Sequence, residues 1–143
     1  MTTPTDDHLA ELGAAFETFS RRYKLAEALG AEKPLNELDK QVLLFVARHP
    51  DCGPTDAARF LGVATTTISS ATDRLAKRGL LDRHRPESDR RAVALRLTPA
   101  GHARVDGFLS AYQDLQRRML APLTPAERTT LIELMTKIVS HED

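Results

Sequence analysis

Apolar residues at Leu9, Leu12, Phe16, Phe19, Tyr23 and Ala26 step along the chain by three, four, three, four and three. That is the spacing of a helix that meets another helix along one seam. Gly30 and Pro34 end this helix, and a second runs through NELDKQVLLFVARH with Leu38, Val42, Phe45 and Val46 inward until Pro50 stops it. Pro54 opens a short third helix, PTDAARFL, that stops at Gly62, and a fourth follows at once over TTTISSATDRLAKRG, ending at Gly79. The period then changes. LLDRHR is short and extended, PESD has turn chemistry, and RRAVALRLT alternates Ala92, Ala94 and Arg96 with Val93, Leu95 and Leu97, which predicts a half-buried hairpin. Thr98 as N-cap with Pro99 at the first helical position starts a fifth helix carrying Val105, Phe108, Tyr112, Leu115 and Met119. Pro122 breaks it, and the capping box of Thr124 and Glu127 opens a sixth with Leu131, Leu134, Met135 and Ile138 on one face.

The third and fourth helices, joined at Leu61-Gly62-Val63, have the form of a helix-turn-helix. Gly62 can take positive φ without steric cost, Ala58 is small enough for close helix packing, and Ile68 fills the space between the two helices. On the fourth helix Ala64, Ile68, Ala71 and Leu75 form the inward stripe, so Thr66, Thr67, Ser69, Ser70, Asp73, Arg74 and Lys77 point elsewhere. Small hydroxyl side chains suit the major groove, where they approach base edges, phosphates and thymine methyls; a surface helix rich in Thr and Ser is the other reading of the same residues. The expected architecture is mainly α with a small β-hairpin wing. A winged helix-turn-helix at 36–98 is flanked by dimerisation helices at 5–33 and 98–141, all in one chain of 143 residues.

Composition narrows the function. No basic stretch followed by an apolar core opens the chain, and no apolar run approaches the roughly 20 residues a bilayer needs, so the expected location is the cytoplasm with no membrane partner. The net charge is zero, but residues 55–96 hold nine Lys/Arg against five Asp/Glu, a surplus of four positive charges balanced by four negative elsewhere. A basic middle between acidic arms points to an anionic partner such as nucleic acid. Five arginines fall within residues 82–101; exposed ion pairs contribute only about 0 to 1 kcal/mol each, so their expected use is external. Arginines at and beside the tip of a wing, here Arg85, Arg90 and Arg91, can reach the adjacent minor groove. Asp89, two residues before Arg91, can orient it by a charge-assisted hydrogen bond. The single Cys52 excludes an internal disulfide and a Cys-based zinc site, and its Pro/Gly-rich surroundings suit a small half-buried residue better than a redox thiol. Without a nucleotide-binding glycine loop, metal-ligand spacing or a Ser, His and acid in triad order, an enzyme is not expected.

The segment LGVATTTISSATDRLAKRGLLDRHRPESDRRAVALRLTPAG is similar to the winged-helix segment of the MarR family, the multiple-antibiotic-resistance regulators, and the flanking helices match that family's layout. The most specific part is the Asp-x-Arg pair followed by LRLTPAG. The resemblance implies an obligate homodimer that binds double-stranded DNA at a pseudo-palindromic operator, usually as a repressor released by a small-molecule effector. It places Thr65, Thr66, Thr67, Ser69 and Ser70 near bases and phosphates, Arg74 on the DNA backbone, and Arg91 in the minor groove braced by Asp89. A pocket between the dimer helices and the winged domain is implied as well, with Tyr23, Arg22, Phe45 or His49 as contributors. The chain departs from the family pattern at Ala64, where Ser is common, so Thr65 is expected to cap the recognition helix. Ser70 and Ala71 stand where Arg-Leu is common. The first helix has no cysteine, and His8, His49, His84, His102 and His141 are scattered, so neither a peroxide sensor of that branch nor a metal sensor is expected, and no cofactor is implied. A winged helix used for protein contacts, or a regulator without a ligand, is the alternative.

Overall fold

The computed structural model describes residues 2–28, 34–89 and 91–141, with the backbone alone over 24–28. The chain divides after Asn36 into two compact units. The first contains α1 (Asp6–Ala28). Thr5 opens it: the His8 N–H donates to Thr5 Oγ1 at 3.2 Å, and the Thr5 N–H donates back to His8 Nδ1 at 3.3 Å, satisfying backbone donors that a helix start leaves open. The seam forms as a stripe, and in the single chain it faces water, with Leu9, Leu12 and Phe16 all more than half exposed. The Ala26 side chain and the end of the helix at Gly30, with the remainder of the 5–33 segment, lie outside the described residues.

The second unit runs α2 (Glu37–Arg48), α3 (Pro54–Leu61), α4 (Thr65–Lys77), β1 (Leu81–His84), β2 (Ala94–Leu97), α5 (Pro99–Leu120) and α6 (Pro125–Ser140). Its core is built on α2. Val42, Leu43 and Val46 are buried with Ile68, Ala71 and Leu75 of α4 and with Leu81 and Leu95 of the hairpin, each Val, Leu and Ile side chain contributing about 1.5–3 kcal/mol over exposure. The buried face of α2 is wider than the periodicity predicts, taking in Leu43 and Leu44, while Leu38 is only half-buried. The reason is that α2 packs on α3, α4, α5 and β2 together. Ala57 and Ala58 are buried in α3, and Gly62 turns the chain at φ 68°, which no residue with a Cβ adopts cheaply.

Two expectations for α4 change. Ala64 is not on the inward stripe: it is the N-cap, extended and exposed, and the helix begins at Thr65 with no side-chain cap. Thr65 therefore does not cap. The inward place goes to Thr72, buried, its hydroxyl donating to the Ser69 carbonyl at 3.0 Å. Gly79 ends the helix at φ 72°, and the Leu80 N–H returns to the Leu75 carbonyl at 3.0 Å, the six-to-one closure that a glycine in this conformation allows.

The hairpin pairs antiparallel with Leu81 opposite Leu97 and His84 opposite Ala94. The alternating pattern fails at one point, because Ala94 and Leu95 are both buried. The far edge of β2 is covered by the connector after α2. There the Asp51 N–H donates to Leu95 O at 3.0 Å, the Leu95 N–H donates to Cys52 O at 2.8 Å, and Cys52 forms an antiparallel bridge with Leu95.

Thr98 caps α5 as expected, accepting from the Gly101 N–H at 3.0 Å. Thr124 and Glu127 form the expected capping box on α6, and the Thr124 N–H beside the Glu127 carboxylate lowers its pKa. Arg128 Nε donates to Leu120 O at 2.9 Å, joining the start of α6 to the end of α5. α6 buries no residue, and Ile138 and Val139 are 67% and 75% exposed. No helix among the described residues is long and apolar enough to cross a membrane.

Candidate nucleic-acid interface

The α4 helix presents its hydroxyls as the sequence predicts. Thr65, Thr66, Ser69 and Ser70 are exposed and Thr67 is half-buried, all in the first two turns of α4. An uncapped helix start leaves N–H groups and the positive end of the helix dipole facing outward, and such a start is a ready anion site when followed by a helix of this length.

Two ion pairs hold α4 in place, one through Asp39, an acid that sequence reasoning passed over, and one through Asp73 on its own outward face. Arg74 gives its Nε and Nη2 to Asp39 Oδ2 and Oδ1 at 3.2 and 2.8 Å, a two-point pair from α4 to α2. The Asp39 side chain is 5% exposed and that of Arg74 46%, and the pairing raises the arginine pKa further above its ordinary value. Arg74 is thus first a positioning residue, with one side still in water. On the other flank Asp73 receives Arg83 Nη2 of β1 at 2.9 Å, with Lys77 at 4.0 Å from the same carboxylate. The α4 helix is therefore tied to α2 on one side and to the wing on the other. The signal for Asp39 was present in the sequence: it lies three residues before Val42 and seven before Val46, on the apolar stripe of α2.

The wing arginines divide in use. Arg83 serves Asp73, and Arg96 gives Nε and Nη2 to the two carboxylate oxygens of Asp51, the second at 3.0 Å. His84 Nε2 stands 3.4 Å from the same carboxylate. These contacts correct the view that all five arginines are external, since two of them brace the hairpin against its neighbours. At the tip the Asp89 carboxylate does act on Arg91, but through the backbone: Oδ1 accepts from the Arg91 N–H at 3.0 Å. The Arg91 guanidinium has no partner among the described residues, Arg85 is exposed, and Arg90 lies outside the described residues.

The described residues thus combine a hydroxyl-rich helix with an exposed start and an arginine-tipped two-stranded wing. A family model described as MarR family matches residues 34–92, the part of the chain that holds the hydroxyl-rich helix and the first strand and tip of the wing. The chain is 31% identical over 88 residues to the HTH-type transcriptional regulator PecS of Dickeya dadantii, covering 62% of this chain and 53% of PecS. Over residues 34–92 this chain is similar to the MarR family. Its match thus spans about half the length of PecS. Among solved structures, a probable transcriptional regulator from Pseudomonas aeruginosa is similar at 29% identity over 89% of this chain and 96% of that one, with a TM-score of 0.66. FabT of Streptococcus pneumoniae, solved in complex with DNA, shares the fold at a TM-score of 0.80 and 18% identity over 92% of each chain. The relatives it resembles are named as transcriptional regulators.

Of the residues expected to contribute to a pocket, Arg22 and Tyr23 belong to the first unit and Phe45 and His49 to the second. Arg22 lies over the Tyr23 ring within α1, at 5.6 Å. Phe45 and His49 stack at 4.4 Å on α2. Burial pushes the Cys52 thiol up from its ordinary pKa, and the Asp56 carboxylate adds to the effect, which opposes thiolate formation.

Asp51 has a pH signature. Hydrogen bonding by Arg96 lowers its pKa in the folded protein, so its stabilising effect is complete above the unfolded carboxylate value of about 3.9 and is lost as pH falls through the lower folded value. Asn tolerates the left-handed φ of 67° found there, which makes Asp51→Asn a clean probe. The melting temperature of the variant should lie below that of the wild type by a constant margin from pH 8 to about 5, and the margin should close in more acid solution. A margin that stays the same down to about pH 2.5 contradicts the assignment.

Proposed function

We propose that the chain acts in the cytoplasm as a homodimeric repressor that binds a pseudo-palindromic operator in double-stranded DNA and is released by a small-molecule effector. The observation that carries the reading is the arrangement, on one ion-paired frame, of the α4 hydroxyl face and of Arg91, whose guanidinium has no partner among the described residues. Thr65, Thr66, Thr67, Ser69 and Ser70 read the major groove and its phosphates, and the exposed edge of Arg74 meets the DNA backbone. Arg91 enters the minor groove with its main chain held by Asp89, and Arg85 and Arg90 add positive charge beside it. The apolar stripes left in water on α1 and α6 support a two-fold dimer, with 5–33 and 98–141 as its helices and 36–98 as its DNA-binding domain. A dimer on its operator excludes other proteins from that DNA, which is the physical basis of repression.

The test is the salt dependence of binding to the DNA upstream of the regulated gene. Arg91→Ala should weaken binding to all sequences and reduce the slope of log affinity against log salt by about one unit per chain, about two per dimer. Thr67→Ala should instead relax discrimination between operator and unrelated DNA while keeping the slope, and saturation should come at two chains per operator. If Arg91→Ala retains both the wild-type slope and affinity, the wing is not a DNA reader.

A further inference from the structure

The tip of the wing carries a side chain that DNA reading leaves unused. Strand pairing ends at His84 opposite Ala94, so residues 85–93 lie outside the ladder. They fold by turns: the Asp89 N–H donates to the Pro86 carbonyl at 3.2 Å and the Ala92 N–H to the Asp89 carbonyl at 3.2 Å. Ser88 sits in the first of these turns, exposed between an exposed Glu87 and an exposed Asp89. Its hydroxyl makes no hydrogen bond among the described residues. A loop tip of this kind, which can leave its place without breaking a strand pair, is where other enzymes gain access to a folded chain.

The sequence around Ser88 is as particular as its place. Of all the Ser and Thr residues in the chain it is the only one with an arginine three positions before it, the exposed Arg85. An arginine at that offset is what the acidic substrate groove of an arginine-directed protein kinase selects, by charge-assisted pairing. We propose that Ser88 is a phosphoacceptor for a kinase of this class and that its phosphorylation takes the wing off DNA. In the transfer, Ser88 Oγ attacks the γ-phosphorus of MgATP held by the kinase. The new O–P bond replaces the bond from that phosphorus to the β,γ-bridging oxygen, ADP leaves, and the hydroxyl proton passes to the kinase's catalytic aspartate.

The charge of the tip then changes sign. Over residues 85–91 Arg85, Arg90 and Arg91 stand against Glu87 and Asp89, a surplus of one positive charge, and a phosphoryl group brings about 1.5 to 2 negative charges at pH 7. A negative tip is repelled by the minor groove, whose own potential is negative. Arg91 is also diverted. Asp89 Oδ1 accepts from the Arg91 N–H at 3.0 Å, which keeps Arg91 on the turn that carries Ser88, where a phosphate offers its guanidinium a charge-assisted pair in place of DNA. The regulatory consequence rests on the reading of Arg91 as a DNA contact; the phosphoacceptor site itself does not.

The experiment treats the full chain with active calmodulin-dependent protein kinase II, an arginine-directed kinase, and MgATP, and reads intact and fragment masses. One phosphoryl group per chain is expected, on Ser88, and none on Ser88→Ala. The phosphorylated chain should bind the DNA upstream of the regulated gene about tenfold or more weakly at about 0.1 M salt, with the slope of log affinity against log salt smaller by about one unit per chain. Removal of the phosphate by a phosphatase should restore both, and Ser88→Ala carried through the same reaction should keep the wild-type affinity. No phosphate on the folded chain, phosphate on an α4 hydroxyl or Ser140 instead of Ser88, or a phosphorylated chain that binds DNA as tightly as before each overturn the proposal. If Ser88 is phosphorylated and the unmodified chain shows no salt-dependent binding to DNA, the phosphoacceptor site stands and the reading of the wing as a DNA reader fails.

Discussion

Gly101→Ala should destabilise the protein by about 3 kcal/mol or more, at the upper end of what overpacking usually costs. Gly101 is the third residue of α5, and a Cβ there would lie 2.0 Å from the Leu80 carbonyl oxygen, 3.0 Å from its carbon and 3.3 Å from Leu97 Cβ. The obstacle is backbone and cannot rotate away. It is also engaged, since Leu80 O accepts from the Thr98 N–H at 3.2 Å while the Thr98 hydroxyl donates to Gly79 O at 2.6 Å and accepts from the Gly101 N–H. The end of α4, both strands of the wing and the start of α5 meet at this one junction, so relief of the clash must move the wing. Gly107, on the same helix, has nothing within 4 Å of such a Cβ; Gly107→Ala should raise stability by about 0.5–1 kcal/mol. Urea unfolding of the two variants checks both signs. A Gly101→Ala protein as stable as the wild type contradicts the close contact.

Breaking the Asp39–Arg74 pair should have unequal effects from its two sides. Arg74→Ala leaves a carboxylate that is 5% exposed without this cation, and a charge held where water reaches it poorly is costly once its counter-charge is removed. Asp39→Ala leaves a guanidinium already 46% exposed, which water can solvate, so the loss should be clearly smaller. The double variant should be more stable than Arg74→Ala alone, because it removes the stranded charge. The same variants separate positioning from direct DNA contact. If Arg74 works by holding α4 in place, Asp39→Ala should also lower operator affinity; if it works by meeting phosphates, only Arg74→Ala should lower the salt slope. Equal destabilisation by the two single variants contradicts this account of the pair's burial.

The number and order of the helices, the glycine turns at Gly62 and Gly79, the caps at Thr98 and Thr124 and the hydroxyl face of α4 were legible in the amino-acid sequence. Each depends on neighbours within about one or two helical turns, where periodicity and capping chemistry act directly. What the sequence left open involved partners distant along the chain. Asp39 meets Arg74 across 35 positions, and Asp51 meets Arg96 across 45. The bridge between Cys52 and Leu95 adds a strand-like edge where local chemistry reads only as a connector. The extended, uncapped Ala64 departs from the helical stripe because the turn at Gly62 sets where α4 begins. Arginine count alone pointed to an external anion, yet two of the five wing arginines hold the fold together. Charge and periodicity along the sequence determined that this chain has a basic, helix-borne surface and a wing. Only the tertiary structure decided which charges are spent internally and which face outward, because an ion pair is set by distance in space and the local pattern contains no such distance.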